Sequence, residues 1–338
     1  MRSFAVRVGS ALAVVGCIIV TWVHAQAPTV DSLISQAKVA AGTDWAGTFL
    51  RLCIPAAPPA PAAAAGRGRG GAPPAPPARE TWYAKPAKVA DNLYFLGTRI
   101  HSAWAIVGSD GIIVLEALFD YAAPDEVVGG MKQFGLDPSR VKYIVISHAH
   151  ADHDGGAKFL QDSMPNAHLV YGGPDWDAVD RAANHAGGKP KHDMVGADGA
   201  TLSVGDASIT LVTTPGHTPG TLSFLFEVKD HGKPIRVAYV GGTAIPFNGT
   251  AAYYDGYIAS AKKMAAAADA FGATALMSNH SEFDDAYFKA HTAQDRRADD
   301  PNPFAVGKPV VQRYFTVVED CATAAKLRAA ASSERQPR

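Results

Sequence analysis

From residue 89 onward, short apolar runs recur between turns rich in glycine, aspartate and proline. Residues 92–96, 103–107 and 111–115 read as successive strands, and 141–146 is apolar enough to be buried on both faces. The same style returns at 168–171, 208–212, 221–226, 235–240 and 275–277, with 315–318 as a closing strand. Between them, 123–134 (stopped by Gly135), 157–162 and 257–271 carry helical patterning. Helices recurring between apolar strands predict a layered α/β protein. Upstream, 30–41 has the period of a short helix, and 49–52 is a further apolar run.

Two stretches break this pattern. Residues 55–77 are proline, alanine, glycine and two arginines, with no hydrophobic period and almost no large side chain, so a flexible segment is expected. At the start, Arg2 and Arg7 precede the apolar run 11–20, and Val23 and Ala25 place small residues before a possible cut. This is the order of a secretory signal peptide over 1–25, with a retained membrane anchor as the competing reading. The organisation expected is signal peptide 1–25, N-terminal segment 26–54, flexible segment 55–77, main domain 86–320 and tail 321–338. A periplasmic or secreted protein follows, without stable membrane insertion once the signal is cut.

The 338 residues leave ample material for a core. Lys+Arg 31 against Asp+Glu 32 gives a net charge of -1 and no electrostatic reason to expect a nucleic-acid partner. The cysteines Cys17, Cys53 and Cys321 exclude a disulfide-rich mini-scaffold or a four-cysteine zinc knuckle. Signal cleavage would leave an even pair in an oxidising compartment. Cys53 and Cys321 then either bridge or remain separate thiols, and the sequence does not supply the distance that decides it.

Histidine carries the chemistry. Directly after the strand 141–146 come Ser147, His148, Ala149, His150, Ala151, Asp152, His153 and Asp154. In an extended loop, His148 and His150 point the same way, with small residues between them. Asp152 and His153 sit where the chain turns into a helix, and their side chains diverge toward a second position. His217, between Gly216 and Thr218-Pro219-Gly220, supplies a third imidazole beside His148 and His150. His280, after Ser278 and Asn279 at the end of a strand, does so for Asp152 and His153. Two triads of neutral imidazole and carboxylate suit two Zn²⁺ per chain with open positions. His101 lies in a loop that could overhang the cleft. His168, His185, His192, His231 and His291 lack paired context and read as ordinary polar residues.

These motifs, in this order, resemble the metallo-β-lactamase superfamily over roughly residues 86–320. The resemblance implies an αββα sandwich with a dinuclear zinc site at one edge of two sheets. Most dinuclear hydrolases of the superfamily carry a bridging aspartate after the strand corresponding to 235–240. Here Gly241, Gly242 and Thr243 stand in that place, with neither carboxylate nor cysteine. That pattern is most similar to the subclass B3 lactamases. It implies an exported β-lactam hydrolase that opens the lactam amide with a zinc-activated hydroxide, Asp152 being both ligand and catalytic residue. The small-molecule substrate would be a β-lactam, with Thr243 and Asn279 as candidate substrate contacts. The strand-end acid usual near such a site is Glu116 here, a shifted pattern. The alternative is a zinc hydrolase of lactones, esters or other amides, and a metal-holding protein without turnover is a third reading.

Overall fold

The computed structural model describes residues 27–55 and 75–333. The expected signal peptide, most of the flexible segment and the last five residues therefore lie outside the described residues. Among the described residues, one sheet has seven strands, ordered β1 (Ala87–Ala90), β2 (Leu93–Phe95), β3 (Trp104–Gly108), β4 (Gly111–Leu115), β5 (Val141–Val145), β6 (His168–Gly172) and β7 (Met194–Gly196). Its first three pairings are antiparallel and its last three parallel. The second sheet runs β12-β11-β10-β9-β8, built from β8 (Thr201–Val204), β9 (Ala207–Thr213), β10 (Leu222–Asp230), β11 (Lys233–Val240) and β12 (Ala275–Ser278). Only β11 and β12 pair in parallel there.

Helices cover the outer faces. Those N-terminal to the sheets are α1 (Val30–Ala41), α2 (Ala46–Cys53) and α3 (Arg79–Trp82). On the β5 side lie α4 (Gly129–Gln133), α5 (Ala151–Asp154), α6 (Ala157–Ser163) and α7 (Gly173–Arg181). The remainder are α8 (Ala251–Phe271), α9 (Ser281–Asp284), α10 (Ala286–Asp295) and α11 (Lys308–Ser333). Phe95, Trp104, Ile113 and Leu115 of the first sheet meet Leu211, Phe224, Phe226 and Tyr239 of the second in one buried cluster. Alternate residues of each strand point inward to make it, while the opposite faces pack on helices in two further clusters. Helix, sheet, sheet, helix is the αββα sandwich that the sequence implied.

Local chemistry sets the helix ends. Thr29 caps α1 by accepting from the Ser32 amide, and Ser32 reciprocates at the cap backbone. Thr250 starts α8 in the same way, and Gly272 ends it in the left-handed conformation.

One expected strand is wrong. Residues 315–318 belong to α11, whose buried Val311, Tyr314, Phe315, Val318, Cys321, Ala322 and Ala325 recur at helical spacing. A window of four apolar residues cannot show its own period, and the flanking positions decide it. The helix continues through the expected 320/321 boundary and packs on α1, α2 and α8. Trp45 meets Tyr314 edge-on at 5.3 Å in that layer. Cys53 of α2 is disulfide-bonded to Cys321 of α11 across a sequence separation of 268, which answers the question that the cysteine count left open.

Candidate metal centre

The ends of β4, β5, β11 and β12, together with the β9–β10 connection, converge at one edge of the sandwich. Strand β5 delivers the loop that carries His148 and His150, and α5 begins immediately after, placing Asp152 and His153 in its single turn. The Leu222 amide donates to the Ser147 carbonyl at 2.8 Å, stitching the start of β10 to this loop.

His148 and His217 have fixed tautomers. The Nδ1–H of His148 donates to the Gly241 carbonyl at 2.8 Å, and that of His217 to the Ala244 carbonyl at 2.6 Å. A carbonyl only accepts, so each Nε2 is left with its lone pair. The Nε2 of His148 is buried and finds no hydrogen-bond partner among the described residues. The Nε2 of His217 lies 3.0 Å from His150 Nδ1. One ligand atom from each of these three histidines fits within a 4.8 Å sphere of mutual distances. Two inward lone pairs, one of them orphaned and buried, beside a third imidazole nitrogen fit a divalent metal.

Asp152, His153 and His280 gather beside it. Asp152 Oδ2 is 3.2 Å from His153 Nε2 and 3.4 Å from His280 Nε2, and the two imidazole nitrogens are 3.0 Å apart. His101 joins them, its Nε2 3.5 Å from the same carboxylate oxygen. With Asp152 and His280 it forms the second group of converging donors. Sequence reasoning placed His101 only as a residue overhanging the cleft. Its loop is drawn in by an antiparallel bridge to His280, in which the Ser102 amide donates to the Asn279 carbonyl and the Ser281 amide to the Ile100 carbonyl. A pairing across so long a stretch of chain leaves no local signal.

The electrostatics suit metal binding. Burial, reinforced by neighbouring imidazoles, drives His148 well below its ordinary 6.5. It likewise brings His217 and His101 down to about 4 and His280 to about 2. Burial works to raise the Asp152 carboxyl, but His153, His280 and His101 outweigh it and hold the group below its usual range. For His153, burial works downward, and Asp152, Glu116 and Asp154 overcome it to leave the imidazole raised. Most of the imidazoles are thus neutral at physiological pH beside one ionised carboxylate, the protonation state that metal ligands need.

The buried surroundings hold these groups still. Glu116, pushed up to about 6 by burial, accepts from the Tyr239 hydroxyl at 3.1 Å and the Ser147 amide at 3.3 Å. Its Oε2 lies 3.7 Å from His153 Nδ1. Asp175, which sequence reasoning missed, clamps the two histidine loops together. Its Oδ2 accepts from the Ala149 amide and the Thr218 hydroxyl, and its Oδ1 from the Gly220 amide, each at 2.8 Å. The available signal was Pro174 opening a helix with an acid in its first turn. His185, read as ordinary, pairs with Asp154 at 2.8 Å.

Thr243 and Asn279 lie within the buried support of the site. Read as candidate substrate contacts, both are fully buried, and the Thr243 hydroxyl donates to Asn279 Oδ1 at 2.9 Å. Asn279 Nδ2 donates to the Gly241 carbonyl at 2.6 Å. They brace the carbonyl that fixes His148, and Asn279 Nδ2 also lies 3.4 Å from His153 Nε2.

A model of the metallo-beta-lactamase superfamily matches residues 96–231. The N-acyl homoserine lactonase AttM of Agrobacterium fabrum is 35% identical over 120 residues, which are 32% of this chain and 44% of that protein. The hydroxyacylglutathione hydrolase of Xanthomonas axonopodis pv. citri is 30% identical over 124 residues, 37% of this chain and 42% of that protein. The chain thus spans less than half the length of these curated relatives. In three dimensions it is similar to BJP-1, a subclass B3 metallo-beta-lactamase of Bradyrhizobium japonicum. The TM-score is 0.60 at 23% identity, over 74% of this chain and 98% of that one. Family match, fold and histidine geometry agree: residues 96–231 match the metallo-beta-lactamase superfamily model, and the chain has the fold of the metallo-beta-lactamases it resembles.

Proposed function

We propose that this protein is an exported zinc-dependent hydrolase that opens the amide of a β-lactam. The observation that carries the reading is the pair of converging donor sets at one strand-end edge, with Gly241, Gly242 and Thr243 where a bridging carboxylate would stand. In this reading His148, His150 and His217 hold one zinc, and Asp152, His153 and His280 hold the other. When bound, the metals supply Lewis-acid polarisation of the carbonyl and a water activated at neutral pH. The protein's own residues fix the imidazole tautomers through Gly241 and Ala244, clamp the loops through Asp175, and set the negative charge of Asp152 against the cations. The disulfide between Cys53 and Cys321 supports export, because such bonds persist in oxidising compartments. Among the described residues no helix is long and apolar enough to cross a membrane.

A lactone or ester substrate is the second reading, favoured by the identity shared with the lactonase AttM. The deciding experiment runs nitrocefin and a carbapenem against lactone and thioester panels on the zinc-loaded mature chain, with metal analysis alongside. Lactam turnover with about two zinc ions per chain is expected. Lactone turnover without lactam turnover would move the assignment to the second reading. A reproducible single zinc would overturn the dinuclear arrangement. Full metal loading with no hydrolysis would mark a metal-holding protein instead.

A further inference from the structure

The second donor group, His101, Asp152 and His280, includes an imidazole that the sequence motifs do not supply. We infer that His101 is a fourth protein ligand of the metal held by Asp152, His153 and His280, an inference that rests on the two-metal reading above. A tetrahedral zinc with bonds near 2.0–2.1 Å requires ligand atoms about 3.3 Å apart along each edge. The distances from Asp152 Oδ2 to the Nε2 atoms of His101, His153 and His280 are 3.5, 3.2 and 3.4 Å. The edge between His153 and His280 is 3.0 Å. His101 thus stands from the shared carboxylate at nearly the same distance as the two motif histidines, and its donor atom converges with those of Asp152 and His280.

The position of His101 is built, not incidental. The Thr98 hydroxyl oxygen accepts from the His101 amide at 2.9 Å, and the Thr98 amide donates to the His101 carbonyl at 2.8 Å, closing a tight turn. A Cβ at Gly97 would sit 2.5 Å from the His101 carbonyl oxygen, so this turn requires glycine. The bridge to His280 locks the turn to the end of β12. The ring then packs edge-on against Phe119 at 5.2 Å and His280 at 5.0 Å, leaving the side chain 16% exposed. An imidazole so constrained beside an ionised carboxylate has little rotamer freedom left to lose on binding a cation.

Four protein ligands at the second metal against three at the first divide their tasks. The open position belongs to the metal at His148, His150 and His217. The other is enclosed by protein and should be the slower to leave.

Metal titration tests this without reference to turnover. The full-length mature chain and its His101→Ala and His101→Phe variants would be stripped, reloaded with Zn²⁺ or Co²⁺ against a competing chelator, and read by metal analysis and visible absorption. Phenylalanine keeps a ring against Phe119 while removing both nitrogens, so it controls for packing. In the wild type the Co²⁺ at the Asp152, His153 and His280 site should show the strong absorption of four-coordinate geometry. In both variants its affinity should fall at least tenfold, about the least that losing an outer partner of a ligand costs, and that absorption should weaken, with the metal at His148, His150 and His217 unchanged. Two metals held with unchanged affinity and spectra by either folded variant would overturn the role of His101 alone. A wild type that binds only one metal would instead overturn the two-metal reading, and this inference with it.

Discussion

Asp175→Asn should lower the stability of the metal-free protein by about 2–4 kcal/mol, the sum of lost charge-assisted bonds and one stranded donor. Asp175 is 1% exposed, and its two oxygens serve three donors: the Ala149 and Gly220 amides and the Thr218 hydroxyl. Asparagine keeps the volume but offers one oxygen and one NH₂. If the oxygen takes the place of Oδ2, the NH₂ confronts the Gly220 amide. Flipped, it confronts the Ala149 amide, while Thr218 can turn its hydroxyl toward Thr221, 2.8 Å away. In either orientation one backbone N–H loses its acceptor, and the surviving bonds lose their charge assistance. The assay is urea unfolding with a chelator present, because bound metal would add its own linkage to the folded state. A drop below roughly 0.5 kcal/mol would refute the clamp, since a surface substitution costs that little. Because the clamp holds the loops of His148, His150 and His217, zinc affinity there should also fall by about 10–100-fold.

Asp152→Asn should cost at least roughly 10²-fold in kcat/KM with zinc in excess while the circular dichroism spectrum is retained. Near wild-type turnover with both metals held would rule out its assigned role. Replacing Cys53 and Cys321 together by alanine releases the long closed loop and should cost roughly 2–5 kcal/mol; an unchanged urea midpoint would show that the bond does not contribute. Glu126 gives a pH signature remote from the metals. Burial lifts its carboxyl to about 8 from 4.5, against the pull of the Ala84 amide. Between those two values the unfolded chain has released a proton that the folded chain keeps, so this residue's contribution to stability falls as pH rises. Glu126→Gln should therefore gain stability relative to wild type from pH 5 to pH 8, and parallel profiles would contradict the buried neutral acid.

What could be read from the sequence follows from how far each feature reaches along the chain. His148, His150, Asp152 and His153 lie within one strand-end loop, so local geometry and side-chain chemistry announced them. His217 and His280 followed because apolar strands ended just before them. His101 did not, because the bridge between residues 101 and 280 is a pairing of distant segments. Asp175 escaped for the same reason: its acceptors are spent on residues 26, 43 and 45 positions away. Thr243 was placed on the right turn, but its direction depends on Asn279 from another strand. The cysteine pairing was legible as a parity argument and became a bond only when α2 and α11 were seen side by side. Residues 315–318 show the opposite failure, where strong local β-preference lost to the helical period of their neighbours.

The turn after β11, Gly241, Gly242 and Thr243, carries no carboxylate, and this bears on the substrate. A Cβ at Gly241 would lie 1.8 Å from the Leu222 carbonyl oxygen and 2.8 Å from Ser147 Cβ. Strand β10 and the loop after β5 approach so closely there that no side chain fits at Gly241, and the residue serves through its carbonyl, which accepts from His148 and Asn279. Asp152 is then the single carboxylate among the donors, since the other ligands are imidazoles. Two divalent cations held by such a set would leave the centre with a net charge of about +3, the ions being the largest local charges. A bridging aspartate would have removed one of those charges. A centre of that charge favours substrates that bring an anion of their own, as the carboxylate of a β-lactam drug does and an uncharged acyl lactone does not. The absence of a carboxylate from this turn thus supports, through charge, the proposed lactam reading over the lactone one.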